Sequence, residues 1–435
     1  MPNVEKPSSP RSTAIGSAAT RVINSSRQGL AAFVVHTPQT RLPLFYSFLA
    51  RLPGAAIGIL LPLLGLSSGM SATVSGLAFA ICRLVQAFSG PFWGKVVDHF
   101  GLTFVVPVVG TLFGVTVTIL SIITVTPISL LGLAGLIGLL TLPMNALMRA
   151  LWNRALDSSA QKDVANAVES LMSELILLLG RVAVAVVAVV VSLNTIVAVQ
   201  GVLAIAGSLG LATTALVRHD HASKREKRTT RSLDAVFENA NILFCFLLLS
   251  ASLGAYSMAL LITIDSVFDN YKPTMSALTI SIWGFGSVVG LTVGRLNRIA
   301  VNEKEKGCLI LLLAMGCLQL LTSTGMLWEP LLLVAAFLAG LPISSVLTGL
   351  YALLGNAVAS EHHTELFAWA TTMIFAGDAL GALFVGVFTD LVSTPAAALA
   401  VSCGAACLAA VTVGLRPQVS RITLTPPSDA PTPPT

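Results

Sequence analysis

Arg218–Asn239, RHDHASKREKRTTRSLDAVFEN, divides the chain into two apolar blocks of near-equal length, residues 43–217 and 241–415. Its charge density contrasts with everything on either side. Across all 435 residues only 10% are charged and 55% are hydrophobic. A water-soluble domain averages about 45–50% apolar and about 25% charged residues. A chain with so few charges cannot cover a surface facing water, whereas lipid would solvate it well. The central stretch, residues 218–240, therefore reads as a loop between two membrane-embedded units.

Spanning the bilayer takes about 20 mostly apolar residues. Runs of that kind predict six spans before the divide: Pro43–Gly65, Ala72–Phe92, Leu102–Ile123, Ile128–Ala150, Val168–Val191 and Thr195–Val217. Six follow it: Asn241–Ile264, Thr274–Arg295, Gly307–Met326, Pro330–Gly355, Thr364–Phe388 and Pro395–Leu415. The expected fold is an all-α membrane protein of twelve transmembrane helices in two six-helix bundles. Residues 1–42, rich in Ser, Pro, Arg and Thr, read as a disordered tail without a cleavable signal peptide. Residues 416–435 read as a Pro-rich disordered tail.

The basic residues fix an orientation. Short loops rich in Lys and Arg stay on the cytoplasmic side. With both ends inside, 21 of the 25 Lys and Arg residues fall on inward segments and only Lys272 on an outward one. The reading is a multi-pass protein of the cell (inner) membrane with cytoplasmic termini. The net charge of +5 is then a topology signal with lipid headgroups as its partner, not a nucleic-acid footprint.

Several classes of chemistry drop out. The six cysteines lie in or beside apolar runs with no CxxC pair, so no disulfide framework and no metal site is expected. Glu361-His362-His363-Thr364-Glu365 reads as a solvated loop. There is no phosphate-binding Gly-rich loop, no catalytic constellation and no outward loop large enough for a catalytic domain. Neither enzyme activity nor a cofactor is expected.

The halves echo each other about 200 residues apart, as inverted or parallel repeats do in carriers. Gly90-x-x-x-Gly94-Lys95 matches Gly290-x-x-x-Gly294-Arg295, Leu142-Pro143-Met144 matches Leu341-Pro342-Ile343, and Gly180-Arg181 matches Gly377-Asp378. A duplicated bundle places a solute site between its halves, near mid-membrane.

After the second span comes Gly94-Lys95-Val96-Val97-Asp98-His99-Phe100-Gly101. This resembles the loop signature of the major facilitator superfamily, with Gly94, Asp98 and Gly101 matching and His99 standing where Arg is usual. The resemblance implies a secondary carrier working by alternating access. It further implies a monomer that handles a small-molecule substrate together with protons. Its twelve-span exporter branch suggests proton-coupled export, with uptake of an organic anion as the alternative and a non-transporting scaffold third. In that family the loop Asp pairs with an Arg at the inner end of span four, positions held here by Asp98 and Arg149. Glu169–Val182 sits where exporters carry a Gly-Pro-Gly motif, with Arg181 replacing the usual Pro.

A charge at mid-span costs about 2.5–3.5 kcal/mol, so intramembrane charges point to function. They are Arg51, Arg83, Glu174, Arg181 and Asp378. Arg83 and Asp378 lie at matching depths on spans two and eleven, which pack together in the resembled fold. They are expected to pair and gate, with Asp378 the proton carrier. Glu174, a second proton candidate, is seven residues from Arg181, about 10 Å along one helix face. Arg181 is expected to meet an anionic substrate group. Arg51, beside the kink-prone Pro53-Gly54, is expected to contact substrate or to snorkel to the interface. Asn145 is expected to offer substrate a polar contact, or a helix–helix hydrogen bond.

Overall fold

The computed structural model describes residues 38–155, scattered positions from 165 to 188, then 190–214, 217, 239–267, 273–292, 304–323, 328–357, 363–392 and 395–414. The described chain is helical throughout. Spans one to three are α1 (Pro38–Ser67), α2 (Ala72–Phe100) and α3 (Leu102–Ile122). The fourth span comprises α4 (Pro127–Leu140) and α5 (Met144–Ala155), and the sixth is α6 (Leu193–Thr213). The second half runs α7 (Ala240–Val267), α8 (Pro273–Thr292), α9 (Lys304–Leu321), α10 (Glu329–Gly340), α11 (Ile343–Ala357), α12 (His363–Val392) and α13 (Pro395–Gly414). Among the described residues, nine helical stretches are long and apolar enough to cross a membrane. Three shorter apolar helices, Leu175–Val184, Leu278–Gly290 and Lys306–Leu321, stand at the fifth, eighth and ninth predicted spans.

Two sequence expectations change. Spans four and ten, predicted as continuous, each break at the matched Leu-Pro pair: residues 141–143 and 341–342 leave the helix. Proline lacks the N–H that closes a helical turn, and its ring crowds the preceding residues out of helical conformation. Further, the signature segment is not a loop. Helix α2 runs on to Phe100, because nothing from Gly94 to Phe100 stops it, and the turn is a single residue. Gly101 adopts φ +81°, donates its N–H to Val97 O at 2.8 Å and opens α3 at once. That left-handed backbone is open to glycine and strained for other residues. An added Cβ at Gly94 would meet nothing within 4 Å.

Polar side chains set several helix starts. Ser71 accepts from Val74 N–H ahead of α2, Ser192 accepts from Thr195 N–H ahead of α6, and Thr126 and Ser129 form a capping box at α4.

The same contacts recur in each half. Helices α3 and α6 pair as α9 and α13 do, α1 and α6 as α7 and α13, and α2 and α4 as α8 and α10. The glycines at these crossings repeat too. An added Cβ at Gly114 would strike Gly201 O at 2.5 Å, and one at Gly316 would approach Cys403 O at 3.3 Å. A Cβ at Gly138 would meet Cys82 O at 2.3 Å, as one at Gly340 would meet Trp283 O at 2.1 Å. A Cβ at Gly180 would come within 3.3 Å of Leu52 O, as one at Gly377 would come within 2.1 Å of Leu247 O. Each second site follows its first by about 200 residues, so the bundle is a structural duplication.

One apolar core belongs wholly to the first half, around Leu60, Leu130 and Trp152, and another to the second, around Phe246, Leu312 and Val346. A third joins Ile59, Leu63 and Phe79 to Tyr256, Ile264 and Val385 across the divide. Along that seam α2 packs on α12. An added Cβ at Gly76 would come within 2.8 Å of Ala382 O, and one at Gly386 within 2.6 Å of Ala72 O. The two main chains therefore touch almost directly.

Candidate functional site

Two charged clusters sit inside this apolar body. The first bridges the halves: Arg83 Nε of α2 lies 3.2 Å from Asp378 Oδ2 of α12. Glycines on both sides make the space. At Gly58 of α1 a methyl group would come within 2.9 Å of Arg83 Nη2, and at Gly254 of α7 within 2.1 Å of the Asp378 carbonyl. Arg83 Nη1 donates to Gln86 Oε1 at 3.1 Å. The guanidinium carbon lies 5.1 Å from the Phe79 ring centre and 5.7 Å from that of Phe375, within cation–π range. Aromatic faces and one carboxylate thus replace the water that a mid-membrane arginine lacks. The side chains keep 18% and 22% exposure, so the pair is reachable.

The second cluster lies within the first half. Arg51 of α1 ion-pairs through Nη1 with Glu169 Oε1, and its Nη2 donates to Ser173 Oγ at 2.8 Å. The Ser173 hydroxyl also lies 3.1 Å from Asn145 Oδ1 of α5 and 2.8 Å from Glu169 O. Arg149, one turn beyond Asn145, acts electrostatically on Arg51. The Glu169 side chain is fully buried, and its Oε2 has no partner among the described residues. Glu169 was not among the expected site residues. Its signal was spacing: Glu169, Ser173, Ile176 and Gly180 recur at four, three and four residues, one face of a helix. Glu174 and Arg181 themselves lie outside the described residues.

Beside Arg83 opens a narrow recess of about 10 Å³, the size of a single water, between α1, α2, α3 and the break that separates α4 from α5. Among the described residues no group of three or more His, Cys, Asp or Glu is placed to hold a metal ion.

A family model for the Major Facilitator Superfamily matches residues 44–328. The chain belongs to that superfamily. Membership makes it a multi-pass secondary transporter of small molecules rather than an enzyme, and the duplicated helical bundle agrees. No curated protein matches the chain. Among solved structures, the nucleoside transporter NupG is similar over 87% of this chain and 98% of its own, with TM-score 0.67 and 13% identity. A point mutant of NupG is similar over 86% and 99%, with TM-score 0.64 and 13% identity. At that identity the likeness is one of fold.

Of the superfamily signature, Gly94 and Gly101 are described above. Asp98 is helical in its backbone; its side chain lies outside the described residues, and with it the expected pair with Arg149. The seam holds a contact the sequence reading missed. Asp390 Oδ2, in the last turn of α12, accepts from Thr73 N–H in the first turn of α2 at 3.0 Å, and Thr73 Oγ1 donates to Gly386 O at 3.3 Å. A carboxylate at an exposed helix N-terminus contributes about 0.3–1 kcal/mol, roughly two- to fivefold in a two-state equilibrium. Asp390→Ala is expected to shift the seam toward its separated form by that factor. Spin labels on Ser68→Cys and Leu391→Cys would report it as a longer distance component. An unchanged distribution would show that the contact does not hold the seam.

Proposed function

We propose that this superfamily member carries a small organic anion by proton symport, with Asp378 as the proton-carrying group. The observation behind the reading is the Arg83–Asp378 ion pair between the halves. Among the described residues the empty carrier holds one cation and one carboxylate there, which balance. A proton on Asp378 alone leaves Arg83 uncompensated, and an anion alone leaves a negative charge. Proton and anion together restore neutrality. An uncompensated charge in the membrane costs about 2.5–3.5 kcal/mol. The two productive forms are thus favoured over the two leak forms, which is coupling. Export by proton antiport is the second reading, favoured by the likeness of Gly94–Gly101 to the exporter branch.

In the orientation set by the basic loops, α2 starts and α12 ends on the outer side. The Asp390–Thr73 contact then belongs to a closed outer gate. We read the chain as a monomer of the cell inner membrane, because its two halves pack against each other within one chain.

Direction can be tested with a cell metabolite extract offered to intact and everted vesicles under an imposed pH gradient, read by mass spectrometry. Symport predicts that intact vesicles, acid outside, accumulate an anion only when the protein is present. Accumulation confined to everted vesicles would replace uptake with export.

A further inference from the structure

We infer that the recess beside Arg83 holds one internal water, hydrogen-bonded to Arg83, Gln86 and Thr141, which ties the break in span four to the ion pair between the halves. Its room, about 10 Å³, suits a single water and nothing larger. Size alone does not fill a cavity. Apolar cavities stay dry, and a buried water is held only where about two to four polar groups meet it.

The guanidinium supplies the first of them. Arginine carries five N–H donors and no acceptor. Arg83 Nη1 donates to Gln86 Oε1 at 3.1 Å. Its Nε, 3.2 Å from Asp378 Oδ2, is buried without a hydrogen bond among the described residues, so that contact acts through charge more than through an aligned bond. A charge at membrane depth with so few acceptors is costly unless water reaches it. Nη2 lies over Gly58, which lines the recess together with Arg83, and is the donor placed to meet a water there.

Two more lining residues complete the set. Gln86 spends its Oε1 on Nη1 and keeps its amide N–H groups to donate. Thr141 Oγ1 donates to Ile137 O at 2.7 Å and keeps its lone pairs to accept. The water thus accepts from Arg83 and Gln86 and donates to Thr141, which is about the usual number of bonds for a buried water. An ion fits worse. A cation would face the guanidinium, and an anion would compete with Asp378, which already balances that charge. Thr141 stands in the non-helical stretch 141–143, and irregular backbone at membrane depth is tolerated where it lines a cavity. Acting through the water, Thr141 is a positioning residue for Arg83, so a movement of the break is felt at the pair.

Pulsed X-ray radiolysis of the full chain in nanodiscs, read by mass spectrometry, oxidises side chains that touch a water even where bulk solvent does not reach. Phe79 and Phe113 line the recess and are only 5% and 6% exposed. Both are expected to be labelled, while Phe246 and Tyr256, equally buried and away from the recess, stay at background. Thr141→Val is expected to lower the labelling about fivefold, the factor for one lost hydrogen bond of ordinary strength. Thr141→Ser, which keeps the hydroxyl, is expected to label as wild type does. Gly54→Ala is expected to abolish labelling by filling the recess. An added Cβ there meets nothing within 4 Å, so this variant carries the test should Thr141→Val fail to fold. Background labelling of Phe79 and Phe113 in wild type would overturn the inference. Unchanged labelling in Thr141→Val or Gly54→Ala, or its loss in Thr141→Ser, would do the same.

Discussion

Arg51→Ala is expected to lower stability by about 3–5 kcal/mol, the usual cost of removing one partner from a buried ion pair. Glu169 has no exposure, Arg51 is its charged partner, and its second oxygen has no partner among the described residues. Without Arg51 the carboxylate must stay charged in an apolar site or take up a proton. The loss is therefore expected to shrink as pH falls. Replacing both residues, Arg51→Ala with Glu169→Gln, should recover most of it, since an amide needs hydrogen bonds but no counter-charge. Thermal unfolding in nanodiscs at two pH values would show this. A single mutant melting with wild type, or a double mutant no better than the single, would mean that the pair is not what makes Glu169 tolerable.

Asp378→Asn is expected to abolish accumulation driven by a pH gradient while leaving exchange of solute for solute across the membrane. An amide cannot exchange a proton, so Arg83 stays uncompensated whenever the site is empty. With that penalty at about 2.5–3.5 kcal/mol, return of the empty carrier should slow by about two orders of magnitude. Proteoliposomes reconstituted with equal amounts of each protein, assayed with and without an acid exterior, give the comparison. Gradient-driven accumulation at the wild-type level would remove Asp378 from the coupling.

Much of this architecture could be read from composition and spacing, because lipid imposes simple rules. Runs of apolar residues marked the spans, and matched Leu-Pro pairs marked where both halves would break, although the spans were expected to stay whole. Arg83 and Asp378 stood out because charge at mid-membrane is rare, and the structure places them together. Other features depended on what no local pattern records. Glu169 sits at the rim of its predicted span, where a carboxylate looks like an ordinary interfacial residue. Only its contact with Arg51, from a distant part of the chain, makes it a buried charge. Asp390 lies two residues past the predicted end of span eleven, and nothing local says that it meets the start of α2. The signature was read as a loop because the apolar run of span two ends at Phe92; helix α2 nevertheless continues through Gly94, since a glycine inside a helix weakens it without ending it.

The seam between α2 and α12 carries a mechanical consequence. At Gly76, Ala382, Gly386 and Ala72 the mating surfaces are bare main chain and methyl groups. Long side chains would each surrender up to about 1.5–2 kcal/mol of rotational freedom on closing and regain it on opening. That stretch of the seam, away from Arg83 and Asp378, freezes almost no side chain, so it closes and opens with little entropic toll. It behaves as a smooth bearing, suited to a joint that must slide on every turnover.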